Sequence, residues 1–266
     1  MNALNLSETV VEMVDPVVAG QLLDRAREAK AAAAGAIPDE HDSEAARLAV
    51  LSDVSRLAAT LQRIEPRDQL ADRPVALAFW INVYNALVIH GALQAGVRRS
   101  LKEVPGFFRR TAYRIGGRVF GLNDIEHGIL RQNRGHPARG LLPQWMPWDD
   151  RCALVIRPMD TRIHFALNCG AASCPPIRHY AAAEIDAQLE LAARAFMAGG
   201  GVRIDAETGQ VRLSRIFLWF WRDFGRGRRR QLRFALRYVD ADARTSIEAA
   251  ACRQGIAYDA YDWRFG

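Results

Sequence analysis

The densest run of reactive side chains in this sequence is His164-Phe-Ala-Leu-Asn-Cys169-Gly-Ala-Ala-Ser-Cys174-Pro-Pro176. A thiol attacks carbon or binds metal as the thiolate, and the positive end of a helix dipole favours that charged form. Residues 163–169 read as a strand, 170–176 as a turn and 181–197 as a helix. The two-residue period of a strand puts Cys169 on one face with Leu167 and Phe165. It puts His164 on the other with Ala166 and Asn168. On this reading Cys169 is the core thiol, and Cys174, nearer the helix start, is the nucleophile.

A cysteine nucleophile also needs a base and a group that orients the base. His127, His164 and His90 supply imidazoles, and Asp124, Glu126, Asn82 and Asn85 supply orienting groups. The run Asn123-Asp-Ile-Glu126 has the spacing of a capping box, which predicts a short helix ending near Arg131. Asp124 and His127, three apart on that helix, are then within reach of each other. Backbone N–H groups near Cys174 would hold an oxyanion.

The same side chains admit other uses. Cys169, Cys174, His164 and His127 could surround a zinc ion, but their spacing lacks the close C-x2-C pairing of common structural sites, so no metal ligand is assigned. Cys169 and Cys174 could meet in a disulfide across the glycine turn, which a reducing compartment opposes. A buried cysteine is also an ordinary small apolar filler, and a buried histidine an ordinary hydrogen-bonded core residue.

These groups must be positioned by the elements around them. Pro74 suits a first helical turn and Gly96 a helix end, and residues 75–92 between them are apolar nearly all round, which predicts a central buried helix. Asn82, Asn85 and His90 fall on one side of it, within an arc of roughly 140° at ~100° per residue. Each must find a partner, since an unpaired buried amide costs about 1–3 kcal/mol. The Gly116-Gly117 pair between alternating flanks predicts a tight hairpin over 113–122, and Ala206-Glu-Thr-Gly209 a second hairpin. Helical periodicity covers 17–34 and 43–64, with a polar break at 35–40, and residues 231–238 read as an arginine-rich helix. The expected fold class is α+β: a mostly helical single domain with a small sheet of hairpins. Residues 1–70 are a helical extension and 71–266 the domain that carries the chemistry.

Composition narrows the function classes. A chain of 266 residues, half of them apolar, can build a substantial core. The formal charge of +6 is carried almost wholly by arginine, with Lys30 and Lys102 the only lysines. No nucleic-acid reading motif accompanies it, so the charge is read as a solvated surface and nucleic acid is not expected as a partner. The aromatic run 216–221 beside Arg222, Arg226 and Arg228 to Arg230 is read as a buried edge followed by a solvated basic stretch. The first residues lack the pattern of a secretory signal, the longest apolar stretch is interrupted by Asn82 and Asn85, and the expectation is a cytoplasmic protein with no transmembrane segment.

Four blocks occur in an order that resembles a known family. They are Phe79-Trp-Ile-Asn-Val-Tyr-Asn-Ala-Leu-Val-Ile-His90, Leu122-Asn-Asp-Ile-Glu-His-Gly-Ile-Leu-Arg131, Arg162-Ile-His-Phe-Ala-Leu-Asn-Cys-Gly-Ala-Ala-Ser-Cys-Pro175 and Leu213-Ser-Arg-Ile-Phe217, followed by Tyr261-Asp-Trp263. Over 70–266 the chain resembles the domain of unknown function 547 family, DUF547. The resemblance implies no activity. It marks Asn82, Tyr84, Asn85, His90, Asp124, Glu126, His127, His164, Cys169, Ser173 and Cys174 as motif positions.

The functional expectation is a thiol-dependent hydrolase or acyl/amide-transfer enzyme acting on a small molecule or peptide without a cofactor. Cys174 is the nucleophile, His127 or His164 the base, and Asp124 or Glu126 the orienter. Asn82, Tyr84, Asn85, His90 and Ser173 are the substrate-contacting candidates. The alternatives are a non-catalytic scaffold or binding module with a polar core, and a Cys/His metal-binding protein.

Overall fold

Apolar side chains on every face of one helix require neighbours on every side, and the fold of the first half of the chain follows from that demand. In the computed structural model, which describes residues 3–5, 14–35 and 40–264, this helix is Arg73–Gln94, with every residue from 76 to 92 buried. It is long and apolar enough to cross a membrane, and 94% of its most apolar window is covered by protein. Numbered in chain order it is α4, after α1 (Val18–Gly35), α2 (Glu40–Ala59) and the short α3 (Pro66–Gln69). α1 lies along it and α2 packs on both. Most of the break predicted at 35–40 falls outside the described residues, as do most of the residues read for a signal.

Downstream, α5 (Phe107–Arg110) leads into the hairpin β1 (Ala112–Ile115) and β2 (Arg118–Gly121), paired Ala112 to Gly121 through Ile115 to Arg118. Its turn residues Gly116 and Gly117 have φ of 52° and 75°. Positive φ at both central positions is what a two-residue turn needs to match strand twist, so the glycine pair is explained.

The described residues divide into two compact units. One contains Met1–Asp160, Leu167–Ile185 and Trp263–Gly266, and the other Thr161–Ala166 and Asp186–Asp262. α1 packs along α4 within the first unit. The second unit holds α6 (Ile185–Phe196) from its second residue, then β3 (Val202–Ile204), β4 (Val211–Leu213), α7 (Arg215–Trp219), α8 (Trp221–Phe224), α9 (Arg228–Ala235), α10 (Ala241–Gln254) and β5 (Ile256–Tyr258). β4 pairs antiparallel with β3 and parallel with β5. Phe165, Phe196, Phe217 and Phe224 stack in its core. The class is α+β, mostly helical, with two small sheets and a central buried helix, in agreement with the sequence.

Two local expectations are corrected. Residues 163–169 are not a strand: Thr161–Phe165 is a 3-10 helix and the chain then runs irregularly to Cys169. Ile163 to Leu167 are buried without interruption, and a short apolar run of that kind has no period that separates strand from helix. The face argument that set His164 against Cys169 therefore lapses. The helix read over 181–197 is present, as a 3-10 turn from Ala182 and α6 from Ile185, but its start is too far along the chain from Cys174 for its dipole to act there as expected.

Candidate functional site

The polar arc of α4 finds its partners within the first unit. Asn82 binds the backbone of Tyr180 twice, its Nδ2 donating to the carbonyl at 2.8 Å and its Oδ1 accepting the N–H at 3.0 Å. Asn85 Oδ1 accepts the N–H of Asn168 at 2.9 Å. His90 places Nδ1 2.9 Å from the Tyr113 hydroxyl and Nε2 3.2 Å from Ser55 Oγ. Burial lowers the His90 pKa to about 4, so at neutral pH it is an uncharged tie between α4, α2 and the hairpin.

Asn168 transmits this order to the cysteine loop. Its Oδ1 accepts the Gly170 N–H at 2.6 Å, an Asx turn, and its Nδ2 donates to the Pro175 carbonyl at 2.7 Å, drawing the two ends of the loop together. Gly170 has φ of 80°, a value that favours glycine. Within the loop the Cys169 N–H donates to Cys174 Sγ at 3.2 Å, and the two sulfurs lie 2.9 Å apart. Both cysteines are partly exposed. Ser173 sits half-buried in the same turn.

Asp124–Leu130 winds as a π-helix, a rare form that is frequent at functional sites. Glu126 on it accepts a 3.0 Å hydrogen bond from the buried Tyr84 hydroxyl of α4. The Tyr84 phenol is held far above its ordinary pKa, first by burial and then by Glu126, with Cys169 and Cys174 adding further repulsion to a phenolate. Tyr84, Glu126 and the two sulfurs thus share one electrostatic neighbourhood. A family model described as "Protein of unknown function, DUF547" matches residues 68–197, the stretch that contains all four groups.

Over these residues the chain belongs to the DUF547 family. No curated protein and no solved structure matches it.

Other residues of the DUF547 segment have different work. Asp124 does not orient His127. Its Oδ2 accepts the Gly121 N–H at 3.0 Å, its Oδ1 accepts Trp145 Nε1 at 3.0 Å and Gln144 Nε2 at 3.1 Å, and Arg151 lies 3.5 Å away. Nor does its helix begin with a capping box, since Asn123 is itself helical and makes no side-chain cap. The carboxylate pins the 133–150 loop to the hairpin.

His127 is buried, with its Nδ1 2.9 Å from Nη1 of the fully buried Arg131. Guanidinium can only donate, so Nδ1 is the acceptor and the neutral ring carries its proton on Nε2. Glu126 Oε1 is also near Nδ1, at 3.7 Å, but the shorter contact fixes the tautomer. His127 is therefore a hydrogen-bond donor in its resting state rather than a base.

His164 belongs to the second unit. Its Nε2 lies 2.9 Å from Asp223 Oδ2, with both side chains buried, and its ring stacks near Phe220 and Phe224. The backbone donors expected for an oxyanion are engaged: the N–H groups of Cys169, Gly170, Ala172 and Cys174 go to Cys174 Sγ, Asn168 Oδ1, the Arg264 carbonyl and the Ala171 carbonyl. Among the described residues no three His, Cys, Asp or Glu side chains gather as a metal site.

Sequence reasoning missed Asn168 and Arg131. Asn168-Cys-Gly170 carried a legible signal, because Asn two residues before a Gly favours an Asx turn. The burial of Arg131 had none, since arginine is ordinarily a surface residue.

Proposed function

We propose that the chain is a thiol-dependent acyl- or amide-transfer enzyme or hydrolase whose nucleophile is Cys174. The observation that carries this reading is the hydrogen bonding of one sulfur: Cys174 Sγ accepts the Cys169 N–H at 3.2 Å and lies 2.9 Å from Cys169 Sγ, whose S–H can donate to it. Hydrogen bonds to a thiolate stabilise it, and these two donors reach the Cys174 sulfur without a helix dipole.

In this reading the Cys174 thiol gives its proton to the Glu126 carboxylate, which is already tied to the shared neighbourhood through Tyr84. The thiolate attacks an acyl carbon, and the carbonyl electron pair moves to oxygen. Collapse expels an amine or alkoxide, which takes the proton from Glu126 and leaves a thioester on Cys174. Water or an acceptor amine then releases the acyl group. Asn82, Asn85, His90 and Asp124 act by holding the scaffold, which supports a structural rather than substrate-contacting role for them.

An activated ester tests this. Incubating the full chain with p-nitrophenyl acetate should place one acetyl group on Cys174, detected by peptide mass spectrometry and removed by hydroxylamine. Cys174→Ala should lose the adduct, and Glu126→Gln should slow its formation while the fold is retained. An acetyl group found equally in Cys174→Ala, or on Cys252 before Cys174, would overturn the assignment.

A further inference from the structure

We infer that Cys169 and Cys174 are a redox modification site: peroxide converts them to a disulfide that switches off the thiol chemistry, and a dithiol reductant restores it. This rests on Cys174 being the nucleophile proposed above, and it adds a regulation of that same site.

The geometry is the first argument. Two unbonded sulfur atoms 2.9 Å apart are closer than ordinary non-bonded contact and stand less than about 1 Å from the bond length of about 2.0 Å. The loop that holds them is clamped at both ends by Asn168, through Gly170 N–H and the Pro175 carbonyl, and hangs from α4 through Asn85. That network fixes the backbone on both sides of Cys169 and Cys174, so only side-chain rotation separates the sulfurs. A bond between residues five apart closes a small loop, which constrains the unfolded chain less than a long-range bridge would. Oxidation thus alters the chemistry of the site more than the stability of the fold.

The second argument is contrast. Cys152 lies half-buried with its thiol 3.5 Å from the Met146 carbonyl, and Cys252 stands exposed on α10. In a paired site oxidation can stop at a reversible disulfide, whereas a lone exposed thiol proceeds to sulfenic acid and beyond.

The step balances with hydrogen peroxide as the oxidant. The Cys174 thiolate attacks one peroxide oxygen, the O–O bond breaks, and hydroxide leaves and takes a proton to become water. Cys174 is then a sulfenic acid. Cys169 sulfur attacks the Cys174 sulfur, and the hydroxyl departs with the Cys169 proton as a second water. Two thiols and one peroxide yield a disulfide and two waters; the sulfurs lose two electrons and the peroxide gains them. Exchange with a dithiol such as dithiothreitol reverses the bond.

The test uses the reduced full chain and one equivalent of hydrogen peroxide, followed by dimedone, a trap for sulfenic acid, and peptide mass spectrometry. Wild type should lose two hydrogens in the peptide holding Cys169 and Cys174 and carry no dimedone there. Cys169→Ser should carry dimedone on Cys174, because the resolving thiol is absent. Acetylation of Cys174 should fall to background in the oxidised wild type and return after dithiothreitol. Dimedone on Cys174 of the wild type, or oxidation of Cys252 alone, would overturn the inference. The two readings fail separately: acetylation of reduced Cys174 without disulfide formation removes the regulation, and a disulfide without acetylation removes the acyl-transfer reading.

Discussion

A buried histidine reports its surroundings through pH. His90 is 1% exposed, and burial lowers its pKa from 6.5 to about 4. Above pH 6.5 neither the folded nor the unfolded chain protonates it. Between 6.5 and about 4 only the unfolded chain does, so the unfolded state binds more protons and stability falls as pH falls. The difference corresponds to roughly 3 kcal/mol, lost across that window. His90→Gln should remove this part of the acid limb while lowering stability at pH 7, where it forfeits the bonds to Tyr113 and Ser55. Urea unfolding at stepped pH checks both signs; identical slopes for wild type and variant between pH 6.5 and 4 would refute the assignment. The tyrosines obey the same physics with opposite charge: burial raises Tyr113 and Tyr84, and Tyr180 is pushed up to about 12. Each remains a neutral hydroxyl wherever the thiols operate.

At the level of elements, the β1–β2 turn separates two kinds of glycine requirement. Both residues need positive φ, but a Cβ on Gly116 would also fall 2.6 Å from the Ile64 carbonyl and 2.5 Å from Pro66 Cδ, whereas one on Gly117 meets open space. Gly117→Ala should therefore cost about 1 kcal/mol from backbone strain, and Gly117→Asn less, because asparagine tolerates the left-handed region. Gly116→Ala should cost at least about 2–3 kcal/mol, since backbone must move. Thermal melts of the three variants rank them, and a Gly116→Ala protein as stable as Gly117→Ala would show that the contact with residues 64–66 is dispensable. The π-helix is held in a comparable way. Gly128 lies against the Trp145 ring, where a Cβ would come within 2.4 Å, and the Trp145 indole donates to Asp124 one turn earlier. Close packing at glycine thus fixes the element that presents Glu126 and His127.

At the scale of the molecule, each of the two units holds its own apolar core. In the second, Phe217 is fully buried among Phe165, Phe224 and Phe234. Phe217→Ala should destabilise that unit by about 3–5 kcal/mol through lost burial and the cavity left behind. Hydrogen exchange should show amide protection falling across residues 186–262 while α4 of the first unit keeps its own. Equal loss in α4 would mean that the two cores unfold as one. The same unit concentrates positive charge. Arg226, Arg228, Arg229 and Arg230 line an open groove of about 720 Å³ with Tyr258, over whose ring the Arg228 guanidinium lies at 5.4 Å. This agrees with reading that stretch as solvated, while Leu218 and Trp221 ahead of it remain partly exposed.

Periodicity and turn chemistry are local properties, and the sequence alone determined what depends on them. It located α4 between Pro74 and Gly96, both hairpins, the demand that Asn82, Asn85 and His90 find partners, and the family to which residues 68–197 belong. Which partners those were depended on contacts between residues as much as 98 apart, and no local pattern encodes them. Tertiary structure alone placed Glu126 on the Tyr84 hydroxyl, put His164 with Asp223 in the other unit, engaged Asp124 with Trp145, and set the tautomer of His127 through a buried arginine. The physical reason is that residue type and spacing fix what a side chain can donate or accept, whereas packing decides which neighbour answers.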